Sequence, residues 1–256
     1  MLPRAKKRFG QHFLTDRHYL TRIAEAIAPK AGDSMVEIGP GTGILTAKLA
    51  PKLERLHVVE IDRDLAADLA ARFPGDRLVI HRADALEFDF AALAAPLRVV
   101  GNLPYNVSTP ILFRIAAIAD RLEDAVFMLQ KEVVERMVAD PDTPDYGRLS
   151  VMLQYRFEMA LLFRVPPGAF TPPPKVDSAL VLMKPLASER PRARDEELFA
   201  RIVRAAFSQR RKTLRNAVRA LVPVDAFAKA AIDPQRRGET LSVADFIGLA
   251  DAAQER

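Results

Sequence analysis

The sequence contains no cysteine, which excludes disulfides, thiolate nucleophiles and Cys-ligated zinc or iron–sulfur centres. Histidine is scarce. His12, His18, His57 and His81 are the only four, and no two have the i, i+4 spacing of a helical metal site, so a transition-metal enzyme is not expected. No apolar run approaches the ~20 residues of a membrane span. Met1–Gly10 is basic with no apolar segment behind it, which argues against a signal peptide and for the cytoplasm. Charge excess is small as well, +5 with a pI of about 9.6, enough to suit an anionic partner without proving one. Its distribution says more: Pro185–Arg256 holds 14 Lys+Arg against 10 Asp+Glu, leaving 24 against 23 before it.

What is present is enough to fold. At 256 residues and 49% hydrophobic, one large core plus a small appendage is expected. After a basic arm (Arg4, Lys6, Lys7, Arg8), Asp16 reads as the N-cap of an amphipathic helix with Leu20, Ile23, Ala24 and Ile27 on one face. Ser34–Ile38 reads as a buried strand, followed by Gly39-Pro40-Gly41-Thr42-Gly43 and a helix carrying Ile44, Leu45 and Leu49. Strand, glycine loop and helix open a nucleotide-binding doubly wound sheet. A second strand, Leu56–Ile61, delivers Glu60 where a carboxylate can accept both hydroxyls of a ribose. A third, Leu78–His81, is followed by Asp84, placed to accept from an adenine amino group. The plainer alternatives are a solvated strand end for Glu60 and a turn residue for Asp84.

These features fit two cofactors. A dinucleotide site has the form G-x-G-x-x-G, whereas this loop is G-x-G-x-G with Glu37 two residues ahead and a further acid at Asp84. S-adenosylmethionine, which has no pyrophosphate to seat on a helix N-terminus, is therefore favoured over NAD.

An apolar strand with Leu97, Val99 and Val100 ends in Asn102-Leu103-Pro104-Tyr105. An aromatic amine is a poor nucleophile because its lone pair is delocalised, so an enzyme that alkylates it must hold the N–H groups with acceptors. The Asn102 amide oxygen and the Leu103 carbonyl are such acceptors, Pro104 stiffens the loop, and Tyr105 offers a ring face; a simple turn is the alternative. Next come a helix from Ser108 with Ile111, Leu112, Ile115 and Ile118 as its stripe, a strand Ala125–Leu129 and a helix Lys131–Val138. Asp140–Gly147 reads as an exposed loop, Leu149–Tyr155 fits helix or strand with helix favoured, and Phe157–Val165 reads as a strand. The prolines of Pro166–Ser178 predict an extended, stiff loop that holds Phe170 over a bound base opposite Tyr105, or else a connector whose Phe170 packs inward. Ala179–Met183 is expected to close the sheet as a hairpin partner of the preceding strand.

A composition shift at Pro185–Arg194 suggests a linker, giving domains 1–184 and 185–256. The tail is expected to be helical over Glu196–Phe207, Thr213–Leu221, Ala226–Ala231 and Val243–Ala252. Arg210, Arg211, Lys212, Arg215 and Arg219 are five cations with no acid across Ser208–Arg219, a candidate phosphate-contacting face or simply a solvated one.

With these residues in place the chain resembles the ribosomal RNA adenine N6,N6-dimethyltransferases, most closely the bacterial small-subunit (16S) group. The resemblance rests on Phe9-Gly10-Gln11-His12-Phe13-Leu14, Glu37 to Gly43, Glu60-Ile61-Asp62, Asp84-Ala85-Leu86, Asn102-Leu103-Pro104-Tyr105-Asn106, Phe170 to Ser178 and Phe207 to Arg215. It implies an α/β fold of the Rossmann-like class I methyltransferase type, with a mostly parallel seven-stranded sheet and a small C-terminal all-α domain. It implies S-adenosyl-L-methionine as cofactor, held by His12, Leu14, Gly39, Gly41, Glu60, Asp84 and Asn102. His12 stands where relatives often carry Asn. Asn102, Leu103, Tyr105 and Phe170 would act on the target, with Tyr105 and Phe170 sandwiching a flipped adenine, and Arg210, Arg211, Lys212 and Arg215 would bind RNA. The implied substrate is two adjacent adenosines in the 3′-terminal hairpin of small-subunit rRNA, modified during subunit biogenesis. Alternatives are a large-subunit dimethylase of the antibiotic-resistance type, an assembly factor acting mainly by RNA docking, and an NAD oxidoreductase. A monomer is expected, since no apolar heptad or edge strand advertises a partner.

Overall fold

The computed structural model describes residues 12–73, 75–187, 189–209 and 211–254. The arm residues Arg4, Lys6, Lys7 and Arg8, and Arg210, lie outside the described residues. In chain order the elements are β1 (Phe13–Leu14), α1 (Arg17–Ile27), β2 (Ser34–Ile38), α2 (Thr46–Leu49), β3 (Leu56–Val59), α3 (Arg63–Arg72), β4 (Leu78–His81), β5 (Leu97–Asn102), α4 (Ser108–Ala117) and β6 (Leu122–Gln130). They continue with α5 (Lys131–Val138), α6 (Arg148–Gln154), β7 (Phe157–Val165), β8 (Phe170–Thr171), β9 (Ser178–Pro185), α7 (Glu196–Ser208), α8 (Leu214–Val218), α9 (Val224–Lys229) and α10 (Val243–Ala252).

Two compact units emerge, one formed by Met1–Val134 with Glu158–Pro185, the other by Glu135–Phe157 with Leu186–Arg256. A division at 184/185 leaves 135–157 on the wrong side, because its apolar residues pack with the tail. Tyr146, Val151 and Tyr155 share a core with Phe199, Ile202, Leu214, Leu241 and Phe246. Tyr155 stacks on Phe199 at 4.3 Å, its hydroxyl accepting from the Ala193 N–H and donating to Glu196. The 140–147 loop is thus largely exposed apart from Tyr146, which is 0% exposed and donates to the Leu241 carbonyl.

The first unit is built on a seven-stranded sheet of order β4-β3-β2-β5-β6-β9-β7. Its first five strands are mutually parallel and β9 runs antiparallel to β6. The central strands are buried on both faces and read as continuous apolar runs, as parallel strands do. β9 neighbours β7 as expected, but it lies between β6 and β7 instead of closing the sheet, leaving β7 at the edge. Strand β7 alternates exposed and partly buried residues along most of its length, as an edge strand with one wet face does. Asp16 caps α1 by accepting from the His18 and Tyr19 N–H groups.

The proline-rich stretch departs from a uniformly extended loop. Pro167–Ala169 forms a single 3-10 turn, which tolerates a proline at its start because the missing N–H would be unpaired there. The Ala169 carbonyl accepts from the Thr15 and Asp16 N–H groups, and β8 pairs antiparallel with β1 in the register Leu14↔Phe170.

Candidate active site

At the carboxyl edge of the parallel strands lies an open cavity with about 1320 Å³ of empty space, its mouth included. Strand order reverses at β2, between β3 and β5, which is where ligands of doubly wound sheets bind. His12, Leu14, Gly39, Gly41, Glu60, Asp84, Asn102, Leu103 and Tyr105 all line this cavity. Tyr105 arrives from the end of β5, while His12 precedes β1, which pairs with β8, and its carbonyl is held by the Asn102 amide.

Gly39 and Gly41 have φ of +65° and +57°, conformations that L side chains rarely adopt. A Cβ on Gly41 would also lie 3.2 Å from the Phe13 ring. Glu60 follows β3 directly and is 4% exposed. Its two oxygens accept from the Gly41 N–H at 3.1 Å and the Asp62 N–H at 2.8 Å, so the acid ties the glycine loop to the end of β3. Burial pushes the Glu60 carboxyl above its ordinary range, against the opposing pull of those donors. Asp84 accepts from the Leu86 N–H at 2.8 Å through Oδ1. It is therefore a turn residue that also faces the cavity, joining the two roles its sequence context offers.

Glu37, on β2, is 2% exposed and lines the cavity as well. One of its oxygens accepts from the Thr46 hydroxyl at 2.7 Å. Burial raises its pKa to about 7, Thr46 opposing and Glu60 adding to the rise. With Glu60 and Asp84 it places three carboxyl groups, and no Lys or Arg, among the described residues around the cavity.

At the end of β5 the Asn102 amide nitrogen donates to the His12 carbonyl at 3.1 Å, leaving its Oδ1 as the acceptor. The Leu103 N–H is held by the Met128 carbonyl and its side chain is buried. Tyr105 is fixed at its hydroxyl, 2.8 Å from Ser178 Oγ, and burial raises its pKa. The Ser108 hydroxyl donates to the Tyr105 carbonyl at 3.1 Å, so α4 starts where the loop stops.

Phe170 does not join this group. It is 3% exposed, does not line the cavity, and packs in the core with Leu14, Val165, Ala169 and Leu180. Pairing with Leu14 puts both side chains on the inner face while Thr171 points out. The ring stacked on Tyr105 is instead His12, at 5.5 Å between centroids and 27° between planes. The Pro166–Ser178 block still serves the site, by holding Tyr105 through Ser178 and His12 through the Pro172 carbonyl.

Sequence reasoning misses two further positions. Gly101 precedes Asn102 in β5, and a Cβ there would lie 2.4 Å from the Ile38 carbonyl oxygen. An isolated glycine inside an apolar strand is the signal that marks such close backbone approach. Ser178 carries no signal beyond its place at the end of a proline-rich block.

Arg211, Lys212 and Arg215 lie in the second unit, all exposed on or beside α8, as is Arg219. Arg210 is outside the described residues.

Residues 3–255 match the sequence profile of a family described as ribosomal RNA adenine dimethylase. The chain is 59% identical over 246 residues to the "Ribosomal RNA small subunit methyltransferase A" of Aromatoleum aromaticum, covering 96% of this chain and 93% of that one. It is 58% identical over 253 residues to the protein of the same name from Laribacter hongkongensis, covering 98% and 97%. Among solved structures, a dimethyladenosine transferase from Plasmodium falciparum superposes with a TM-score of 0.80 at 26% identity, over 93% of this chain and 96% of its own. The 23S rRNA methyltransferase ErmE does so with a TM-score of 0.72 at 26% identity, over 95% and 100%.

Proposed function

The chain belongs to the ribosomal RNA adenine dimethylases, and from that membership we propose that it carries out S-adenosylmethionine-dependent N6,N6-dimethylation of two adjacent adenosines in the 3′-terminal hairpin of small-subunit rRNA. The relatives at 58–59% identity carry small-subunit names, which favours this target over the large-subunit one. The observation that carries the chemistry is the cavity that opens onto Asn102-Leu103-Pro104-Tyr105, lined by acids and by no cation among the described residues.

These residues fit the cofactor. S-adenosylmethionine supplies an activated methyl on a cationic sulfur, and a cation without phosphate suits a lining of three carboxyl groups. NAD would bring a pyrophosphate into that field. Glu60 takes the ribose hydroxyls and Asp84, through the oxygen not spent on Leu86, the adenine amino group. Gly39 and Gly41 keep side chains away from the methionine portion, and Leu14 and His12 cover it.

On the substrate side Asn102 Oδ1 and the Leu103 carbonyl accept from the target N6–H groups. Two acceptors aimed at one amino nitrogen draw it out of conjugation and turn its lone pair toward the methyl donor. The N–C bond would form as the methyl–sulfur bond breaks, with the electron pair leaving on sulfur; no base is needed before attack, because the nitrogen becomes acidic only once alkylated, and its proton is then released to water. The Asn102 bond to His12 and the Leu103 bond to Met128 preset both acceptors, so little reorganisation remains at the moment of reaction.

The second unit, with residues 186–256 supplying most of it, is the rRNA-docking part, and Arg210, Arg211, Lys212 and Arg215 contact phosphates. No helix among the described residues is long and apolar enough to cross a membrane, and we place the protein in the cytoplasm, acting as a monomer on a precursor of the small subunit.

The test is transfer of labelled methyl to unmethylated small subunits, with large subunits in parallel and the product located by mass spectrometry. Dimethyladenosine on the small subunit is expected, falling by about a hundredfold or more in Asn102→Ala, a loss typical of removing one preorganised polar contact to the reacting group. Label on large subunits alone would refute the target.

A further inference from the structure

We propose that Gln130 is a specificity-determining residue on the substrate side of the site: its side-chain amide donates to a ring nitrogen beside N6 of the target adenine, N1 or N7. The inference rests on the dimethylase reading above and deepens it by naming the group that senses the ring as well as its amine.

Strand periodicity places the residue. Val126 and Met128 of β6 line the cavity, and alternate residues of a strand share a face, so Gln130 continues the row that those two begin. Across the ladder Met128 pairs with Leu180, which also lines the cavity, and the next rung on that face pairs Gln130 with Ser178. Directly opposed side chains lie about 5 Å apart at Cβ. Ser178 Oγ is 2.8 Å from the Tyr105 hydroxyl, so Gln130 is the neighbour of the group that fixes the Tyr105 ring. The Lys131 N–H donates to the Asp177 carbonyl at 2.9 Å, which ties the end of β6 to the proline-rich block. Gln130 is half-buried, and among the described residues no hydrogen bond engages its amide.

Donors are what this side of the site lacks. Adenine N1 and N7 are acceptors, and an acceptor taken out of water without a donor is costly. The Asn102 amide nitrogen is spent on the His12 carbonyl, the Leu103 N–H on the Met128 carbonyl, and the Tyr105 and Ser178 hydroxyls engage each other. No Lys or Arg lines the cavity among the described residues. The Gln130 amide brings two N–H donors on a half-buried side chain. Asn106 also carries an amide and lines the cavity, but it is exposed, where water competes for its donors. With N6 held by Asn102 Oδ1 and the Leu103 carbonyl, one donor to a flanking ring nitrogen fixes the rotation of the base in its own plane.

The experiment uses the full chain and small subunits reconstituted with rRNA that carries 1-deazaadenosine or 7-deazaadenosine at one target position, each analogue replacing one ring nitrogen by C–H. Gln130→Leu, which keeps the bulk without the donors, is compared with the parent, with Gln130→Met as a second apolar variant and Asn106→Ala alongside. Thermal midpoints and direct titration with S-adenosylmethionine accompany kcat/KM for every pair. An analogue also changes the electronics of the amine, so the quantity read is the coupling between variant and analogue. We expect Gln130→Leu and Gln130→Met to lose about tenfold on unmodified subunits, the upper range of a single neutral hydrogen bond, with cofactor affinity unchanged within about twofold. The penalty of one of the two analogues should be about tenfold larger in the parent than in either variant, while Asn106→Ala should keep the parent's penalty. Equal penalties in the parent and the folded Gln130 variants would overturn the proposal, as would variants that match the parent on unmodified subunits. A penalty erased by Asn106→Ala would give the donor to Asn106, and a loss explained by weaker cofactor binding would move Gln130 to the cofactor side. A parent that methylates unmodified subunits and tolerates both analogues would overturn this proposal alone, whereas a parent that labels no small subunits would bring down the dimethylase reading itself.

Discussion

Glu37 shows how one side chain sets the pH response of the site. Its carboxyl titrates near 4.5 when unfolded and at about 7 in the folded protein, chiefly because of burial. Below pH 4.5 it is neutral in both states and contributes its full share of stability. As pH rises from there through 7, the folded protein must bury a charge that the unfolded chain solvates, so that share is lost, up to about 3 kcal/mol. Glu37→Gln has no such charge. Its thermal midpoint should exceed the parent's at pH 8.5 and approach it at pH 5, and equal slopes between the two would disprove the assignment. Among residues, the legible ones are those whose job is local. The glycine loop, Glu60, Asp84 and Asn102 sit at strand ends, and strand ends can be read from apolar runs. Phe170 is not settled by sequence, because its environment is a pairing with Leu14, far earlier in the chain, that neither neighbourhood announces. The stack of His12 on Tyr105 is hidden for the same reason.

At the scale of elements, α1 is fastened to the sheet by a residue that sequence reading passes over. Arg98 sits in β5, where the apolar run suggests nothing but core, yet it is 6% exposed and fully partnered. Its guanidinium reaches Asp33 at 2.5 Å and Asp124 at 2.8 Å. It also donates to the Ile27 and Ala28 carbonyls at the end of α1, groups a helix terminus otherwise leaves unpaired. Burial alone would lower its pKa, and the two carboxylates outweigh it, so the charge is held firmly. Arg98→Ala would strand two buried acids and two carbonyls. A loss of about 3–5 kcal/mol is expected from denaturant unfolding, and a change under about 1 kcal/mol would show that water replaces the guanidinium. Other element boundaries follow from caps and prolines. Asp16 and Ser242 both accept N–H groups of the helices they begin, and both are residue types that announce this role. By contrast, nothing in the apolar run of β9 says that it inserts between β6 and β7.

For the whole molecule, charge and architecture divide along different lines. Four of the five net positive charges lie from Pro185 onward, but the fold of that part needs residues well before it. The second unit takes Tyr146, Val151 and Tyr155 from before the sheet's last strands. A fragment of 186–256 alone should therefore show no cooperative thermal transition. Joining 135–157 to it through a short flexible linker should restore one, since the Leu186 N–H already donates to the Arg156 carbonyl at 2.9 Å and the two ends lie side by side. A cooperative transition in 186–256 without that segment would show that the tail is self-sufficient. Composition makes the boundary near 185 legible, because Pro and Arg accumulate there, while the detour of 135–157 depends on which core accepts its aromatic rings and leaves no mark in composition.

That detour also orders events during synthesis. The ribosome delivers the chain from its amino end at about 5–20 residues per second. Tyr146 and Phe246 share one core and are 100 residues apart, so Tyr146 waits about 5–20 s for Phe246 to be made. Every strand of the methyl-transfer sheet has been translated before α10 exists. A nascent chain thus holds the residues of its chemistry before it can finish the core of its docking unit, and a translation product cut short after Pro185 would be left with Tyr146 and Tyr155 bare.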